Sequence, residues 1–191
     1  MFMEILESKE KSPVEILRQT PEDVESVMNV YYQAWLTTYP NEERGVTKED
    51  VEDRFANSFS EEGIRRGRFY IENIEENELS LVAKENGNVV GVCSVTREYG
   101  VNKLRNIYIL PEYQGKGVGS RLWEEAKKFL NEQNDTVVEV VDYNDNAINF
   151  YKSKGFEDTG NRRRDEKFRM KSGAIFTEIE MRRPADNPQK D

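Results

Sequence analysis

One stretch of the sequence joins a predicted strand to a predicted helix through three closely spaced glycines. The strand covers residues 101–110, and the helix is predicted over residues 119–130. Gly115, Gly117 and Gly119 occupy alternate positions between them. Glycine permits backbone conformations in which successive N–H groups point outward, and a helix N-terminus adds free N–H groups and a partial positive charge. The segment therefore predicts a pocket for an anion such as a pyrophosphate.

Two common nucleotide-binding motifs do not fit this segment. No G-x-x-x-x-G-K-S/T sequence occurs there, which excludes a Walker A loop. The dinucleotide fingerprint G-x-G-x-x-G requires a final glycine where this chain has Ser120. The preceding strand is also not the first strand of a βαβ unit, so a different kind of anion site is expected.

The composition limits the available chemistry. The chain has 191 residues, with 36% apolar and 34% charged residues, which suits one domain with a packed core. It has no histidine and a single cysteine, Cys93. This excludes Ser-His-Asp and Cys-His nucleophile systems, histidine-ligated zinc and a thiolate metal cage, so no metal is expected. Cys93 lies in the middle of a predicted strand, where we expect a small buried hydrophobic residue rather than a nucleophile.

The charge and the absence of targeting signals limit the expected partners. The formal net charge is −9, and residues 1–100 carry 11 basic and 21 acidic groups. This balance predicts no nucleic-acid binding, and it is compatible with a cationic substrate or simply with solubility. No run of 18 apolar residues and no signal-like start occur, so we expect no membrane insertion. A single cysteine adds to the expectation of a cytoplasmic protein.

Hydrophobic periodicity predicts one α+β domain over residues 14–183, between an N-terminal tail of residues 1–13 and a polar tail of residues 184–191. The predicted element order is β-α-α-β-β-β-α-β-α-β-β. Residues 60–78 give weak helix and loop signals only. An Asn-Gly pair at Asn86 predicts a hairpin turn.

A second segment, residues 144–156, reads N-x-x-A-x-x-F-Y-x-x-x-G-F. Together with the Q-x-x-G-x-G-like run of residues 114–119, it resembles the GNAT superfamily of N-acetyltransferases. The resemblance implies a mixed, mostly antiparallel twisted sheet with flanking helices, whose central strands splay apart to hold coenzyme A. It also implies acetyl-coenzyme A as co-substrate, without a metal.

The resemblance also implies roles for individual residues. Asn144 would bind the pantetheine arm, and Ala147 and Phe150 would face the cofactor. Tyr151 would protonate the departing thiolate, and the backbone N–H of Ile109 would polarise the thioester carbonyl. The full cofactor-binding set implied in this way is Ile107, Tyr108, Ile109, Gln114, Gly115, Lys116, Gly117, Val118, Gly119, Ser120, Asn144, Ala147, Phe150 and Tyr151.

The acceptor side is less defined by the sequence. Trp35 and Tyr39, at the end of the first long helix, are candidates for the substrate pocket, although Trp35 also has the helical spacing of a core residue. Many GNAT relatives carry a glutamate in the strand where this chain has basic residues. The general base therefore stays open among Glu98, Tyr99 and Tyr108. A basic run over residues 162–171 predicts either a solvated loop or a contact with a phosphate or an acidic acceptor.

Three functions are compatible with these features. The leading one is acetylation of a small primary amine, such as a polyamine or an amino acid. The second is acetylation of a protein N-terminus, and the third is a non-catalytic module that binds acyl-coenzyme A. A homodimer is possible, and no residue decides it.

Overall fold

A computed structural model describes residues 13–187, except the side chain of Lys167. Residues 1–12 of the predicted N-terminal tail and residues 188–191 of the predicted C-terminal tail lie outside the described residues. Among residues 13–187, no helix is long and apolar enough to cross a membrane.

Seven strands form one twisted sheet in the order β1-β2-β3-β4-β5-β7-β6. Every neighbouring pair is antiparallel except β4 and β5, which are parallel. This confirms the predicted α+β class with a mixed, mostly antiparallel sheet. The strands are β1 (Glu15–Arg18), β2 (Glu78–Glu85), β3 (Asn88–Glu98), β4 (Val101–Ile109), β5 (Thr136–Val141), β6 (Glu157–Arg163) and β7 (Glu178–Arg183).

Five α-helices cover the two faces of the sheet. Buried residues of β2–β5 and β7 pack with α4 and α5 into the main core on one face, and α1 packs on β3 and β4 on the other. The helices are α1 (Val24–Thr38), α2 (Lys48–Phe55), α3 (Glu61–Glu72), α4 (Val118–Lys127) and α5 (Asp145–Ser153).

The helix α3 lies within residues 60–78, which carry only weak helix and loop signals. Its two glycines weakened the helical signal, but both are required by close packing. A Cβ on Gly63 would lie 2.2 Å from the carbonyl oxygen of Asn57, and one on Gly67 would lie 2.6 Å from Cγ1 of Val24. The helix begins where the Ser60 side chain accepts a hydrogen bond from the Gly63 N–H.

Local signals placed several other boundaries well. The hairpin turn falls at Asn86 and Gly87, which have φ of 52° and 79°. The helix α5 ends at Gly155, where a φ of 84° and the bond from the Phe156 N–H to the Tyr151 carbonyl form a left-handed helix stop. The last strand was predicted at residues 174–181, but β7 begins only at Glu178, because residues 164–177 form a long connection packed against α2.

A gap opens between β4 and β5 in the middle of the sheet. The two strands are paired only at Asn102 with Thr136 and at Lys103 with Val137. Just beyond this pairing, the register between β3 and β4 shifts so that Arg105 is an extra residue in β4. A bulge bends its strand and increases the local twist, so the second half of β4 diverges from β5. The functional site is built around this divergence.

Candidate active site

The connection from β4 to α4 has the backbone geometry expected of an anion-binding loop. Gly115 and Gly117 have φ of 70° and 80°, the left-handed region that glycine occupies without strain. Gly117 is the N-cap of α4, so the free N–H groups of the first helical turn follow directly. The Gln114 side chain donates a hydrogen bond to the carbonyl oxygen of Ile109, 3.2 Å away, and ties the loop to the strand.

The third glycine of the run has a different role. Gly119 lies in the first turn of α4 with ordinary helical backbone, and a Cβ there would lie 3.4 Å from the Phe150 ring. Its small size therefore lets α4 and α5 approach each other beside the gap. The sequence pattern alone does not distinguish this packing role from a turn.

A cleft of about 580 Å³ lies between this loop, the end of β4 and the start of α5. Most of the predicted cofactor-binding residues line it, together with Thr38, Tyr113 and Asn146, which sequence reasoning did not identify. The predicted residues brought together here are Ile107, Ile109, Gln114, Gly115, Gly117, Val118, Gly119, Ser120, Asn144, Ala147 and Phe150.

Three predicted cofactor-binding residues are placed differently. The Lys116 ammonium lies 5.3 Å from the centre of the Tyr113 ring, and Lys116 does not line the cleft, so only its backbone belongs to the loop. Tyr108 and Tyr151 line a second cavity on the opposite side of the gap. Both side chains are therefore placed to meet an acceptor or the reacting end of a cofactor, rather than its phosphates.

Backbone amides of β4 face the gap. The Leu110 N–H donates to the Val90 carbonyl of β3 at 3.0 Å. Because N–H groups alternate in direction along a strand, those of Ile107 and Ile109 point to the β5 side, where the strands have already parted. They are donors aimed into the gap, as expected for groups that bind a pantetheine chain or polarise a carbonyl.

The other edge of the gap is formed by the start of α5. The Asn144 side-chain oxygen accepts a hydrogen bond from the Ala147 N–H at 3.1 Å and caps the helix. This bond fixes the orientation of the Asn144 amide, whose nitrogen can then donate to a ligand. Ile107, Asn144 and Ala147 line both the cleft and the second cavity, so the two spaces lie on either side of one gap.

The second cavity, of about 470 Å³, has aromatic walls from distant parts of the chain. Trp35 and Tyr39 of α1 line it, with ring centres 4.6 Å apart. Phe176, just before β7, packs 5.1 Å from the Tyr39 ring. The Tyr39 and Tyr108 hydroxyls are 3.1 Å apart and share a hydrogen bond. We call this space the acceptor-side cavity.

One buried carboxylate lies between α2 and the connection of residues 164–177. Asp50 of α2 accepts hydrogen bonds from the backbone N–H of Thr47 at 2.8 Å and from that of Ser172 at 2.7 Å. The Ser172 hydroxyl in turn donates to the Gly45 carbonyl. The connection of residues 164–177, which carries Phe176, is thereby attached to α2 and to the loop before it.

Tyr151 has the protonation state that a general acid requires. Its side chain is 5% exposed, and its ring packs between Phe150 and Phe156. Burial, with the nearby Tyr108 and Cys93, raises the pKa of the phenol well above its usual value. Tyr151 is therefore protonated at neutral pH and can donate, but it cannot act as a base.

The structure separates the candidates for the base. Glu98 and Tyr99 lie at the turn between β3 and β4, beyond the paired end of β4 and away from the gap. Glu98 forms an ion pair with Lys103 at 2.9 Å, and Tyr99 is fully exposed. Tyr108 does line the acceptor-side cavity, but burial raises its pKa, so it holds its proton at neutral pH. Cys93 is likewise unsuitable as a nucleophile, because burial raises the pKa of its thiol to about 12.

The basic run begins on β6 rather than in a loop. Arg162 forms a two-pronged ion pair with Asp158, and Arg163 pairs with Glu139 at 3.0 Å and with Asp165 at 2.9 Å. Only Arg163 of these two lines the acceptor-side cavity. Within residues 13–187, no group of three or more potential metal ligands occurs.

Comparison with known proteins identifies the family. The family model described as "Acetyltransferase (GNAT) domain" matches residues 42–172. The chain belongs to the GNAT acetyltransferase family. This family uses acetyl-coenzyme A as co-substrate, in agreement with the cleft and its glycine loop.

Among curated proteins, the chain is similar to the N-alpha-acetyltransferase RimI of Mycobacterium tuberculosis. The two are 34% identical over 113 residues, which are 56% of this chain and 66% of that protein. It is also similar to an N-alpha-acetyltransferase of Sulfurisphaera tokodaii, at 29% identity over 47% of this chain and 64% of that protein. The matched part thus spans just under two thirds of each relative's length.

Solved structures confirm the GNAT fold. The PaiA N-acetyltransferase of Thermoplasma acidophilum, solved with coenzyme A, has a TM-score of 0.68 at 23% identity, over 90% of this chain and 99% of that chain. The ribosomal-protein-S18-alanine N-acetyltransferase of Escherichia coli has a TM-score of 0.61 at 19% identity, over 94% and 98%.

Proposed function

We propose that this protein is an enzyme that transfers the acetyl group of acetyl-coenzyme A to a primary amine by direct attack. The observation that carries the proposal is the gap between β4 and β5, with an anion-binding loop on one side and an aromatic cavity on the other. This arrangement would let a pyrophosphate and an amine reach the same reacting centre from opposite faces of the sheet.

Each group at the gap has a defined task in this reaction. The amides of the loop around Gly115 and Gly117 hold the pyrophosphate. The N–H of Ile109 stabilises the charge that develops on the carbonyl oxygen, as a fixed backbone dipole does in an oxyanion hole. Tyr151 gives its proton to the departing sulfur. Acetyl-coenzyme A supplies the activated acyl group.

The favoured acceptor is a small cationic amine. The rings of Trp35, Tyr39 and Phe176 provide faces that attract an ammonium group, and acidic side chains of β5 and β7 line the same cavity.

Acetylation of a protein N-terminus is the second candidate. The similarity to two proteins named N-alpha-acetyltransferases favours it. The ammonium of a peptide N-terminus presents the same chemistry as a small amine, so the aromatic cavity serves either substrate.

Thiol release tests the proposal directly. Purified protein is mixed with acetyl-coenzyme A and, in separate reactions, with a polyamine, free amino acids and short peptides with unblocked N-termini. The proposal expects free coenzyme A to appear only with an acceptor, and mass spectrometry then identifies the acetylated product. Binding of acetyl-coenzyme A without thiol release from any acceptor would favour a non-catalytic binding module and would contradict the enzymatic function.

A further inference from the structure

Two acidic side chains of β7, those of Glu178 and Glu180, face the acceptor-side cavity. Ile179 and Met181 alternate with them and are 4% and 0% exposed in the main core. Because successive side chains of a strand point to opposite faces, Glu178 and Glu180 lie on the other face of the sheet. Both line the acceptor-side cavity.

The strand register places Glu178 closest to the reacting end of the gap. It pairs with Val141, the last residue of β5 before the turn to Asn144. Glu180 pairs with Glu139, two residues back along β5 and about 7 Å toward the closed end of the gap.

The neighbours of Glu178 make its position suited to a cation. Phe176, two residues earlier, packs on Tyr39, and the negative charge of Glu178 contributes to the raised pKa of Tyr108. A carboxylate beside aromatic faces attracts a desolvated ammonium group far better than a neutral ligand.

The other titratable groups of the cavity do not offer a proton acceptor. Tyr39, Tyr108 and Tyr151 all have raised pKa values and keep their protons at neutral pH. Lys103, Arg105 and Arg163 also line the cavity, but they are cations. The chain contains no histidine. Carboxylates therefore remain, and Glu178 is the one at the level of the tyrosines.

We infer that Glu178 binds the ammonium group of the acceptor and accepts a proton from it before the amide forms. The inference rests on the proposed acetyl transfer. The nitrogen–carbon bond forms and the carbon–sulfur bond breaks, while the nitrogen loses two protons. An ammonium group has no free electron pair, so the carboxylate takes the first proton before the attack and releases it to water. The neutral amine then attacks the carbonyl, and the nitrogen that has formed the new bond becomes acidic. The second proton restores the phenol of Tyr151, which has protonated the sulfur.

The test uses two acceptors of similar length but different basicity, n-pentylamine and O-butylhydroxylamine. At pH 7.5 the first is an ammonium ion and the second is already a free base. We expect Glu178→Gln to lower kcat/KM for n-pentylamine by about 100-fold, the usual size of a general-base effect, with a raised KM. For O-butylhydroxylamine we expect a loss below about 5-fold, since neither ammonium binding nor the first proton transfer is needed.

Two further variants complete the test. Glu178→Asp keeps a carboxylate and should recover part of the activity with n-pentylamine. Glu62→Gln, whose exposed ion pair with Arg66 lies on α3, should leave both acceptors within about twofold of wild type, the change expected of a surface residue that lines neither the cleft nor the acceptor-side cavity. Calorimetric titration with acetyl-coenzyme A checks that each variant is folded and binds the donor.

Equal losses with both acceptors, or no loss with either, would overturn the role of Glu178 while leaving acetyl transfer intact. If the wild type binds acetyl-coenzyme A but acetylates neither amine, n-pentylamine binding to its coenzyme A complex is titrated instead. Absence of such binding, or equal binding by Glu178→Gln, would overturn the inference. Absence of acetyl-coenzyme A binding by the wild type would instead contradict the proposed function.

Discussion

Tyr151 owes its chemical environment to residues that are distant from it in sequence. It is buried among aromatic rings, yet it lines the acceptor-side cavity beside the open gap. Sequence reasoning predicted its position from the residue pattern of 144–156, but not its environment. The raised pKa of Tyr151 comes from burial and from the nearby Tyr108 and Cys93. These two residues lie on β4 and β3, and the sequence does not show that they lie beside Tyr151.

We expect Tyr151→Phe to reduce kcat by about 100-fold, because the thiolate would depart without a proton donor. Affinity for acetyl-coenzyme A should stay within about twofold, since the ring and its packing are kept. Steady-state kinetics and calorimetric titration measure the two effects. Tyr31→Phe is the control, because burial also raises the pKa of this partly buried tyrosine, but Tyr31 lines neither the cleft nor the acceptor-side cavity. Unchanged turnover in Tyr151→Phe would remove its assignment as the acid.

Gly117 and Gly87 form a matched pair for testing the loop. Their φ values are 80° and 79°, and in both cases a Cβ would meet no atom within 4 Å. Alanine should therefore destabilise the fold by about 1 kcal/mol at either position, through left-handed backbone strain alone. Gly117→Ala should also raise the Kd for coenzyme A by about fivefold, through distortion of the amides that hold the pyrophosphate, whereas Gly87→Ala should not.

Thermal unfolding and calorimetric titration of both variants give the comparison. Equal Kd values for the two would show that the loop around Gly117 does not hold the cofactor.

At the scale of elements, the sequence predicted what local chemistry determines. Pro21 after Thr20 is typical of a first helical turn, and Thr47 is a typical N-cap residue, whose side chain accepts the Asp50 N–H at the start of α2. The helix α3 was not predicted, because the need for Gly63 and Gly67 arises from contacts with other segments. The bulge at Arg105, which opens the gap, has no recognisable sequence signal.

The attachment of the 164–177 connection to α2 depends on the charge of Asp50. Burial acts to raise the pKa of Asp50, but hydrogen bonds from the Thr47 and Ser172 amides outweigh it and hold the pKa below its usual value. A depressed folded-state pKa stabilises the fold above the unfolded-state pKa, near 4, and this contribution is lost as the pH falls below it.

We expect Asp50→Asn to lower the free energy of unfolding by about 2 kcal/mol at pH 7, through loss of charge-assisted hydrogen bonds. The difference from wild type should shrink as the pH falls below about 4. Urea unfolding across this pH range measures it. Asp53→Asn is the control, since its ion pair with Lys171 is exposed and should contribute less than about 0.5 kcal/mol. A difference that persists unchanged at low pH would contradict the role of the carboxylate.

At the scale of the whole molecule, the site joins residues that are far apart in sequence. Most residues of the cleft could be grouped from the sequence, because one continuous segment, residues 107–120, and the start of α5 form most of it. Those of the acceptor side could not, since Trp35, Tyr108 and Phe176 meet only through the sheet order and the long connection before β7. The alternation of acidic and apolar residues in Glu178-Ile179-Glu180-Met181 is typical of a strand with one buried face. It indicates which residues line the cavity only once the face of the sheet that forms the cavity is known.

We propose that coenzyme A lies in the gap between β4 and β5, and residue-resolved amide hydrogen exchange can test this position. The N–H groups of Ile107 and Ile109 face the gap, whereas the Leu110 N–H is bonded to β3. Saturating coenzyme A should slow exchange at Ile107 and Ile109 beyond the general stabilisation seen at Leu110. Protection that rises equally at all three residues, or not at all, would contradict it.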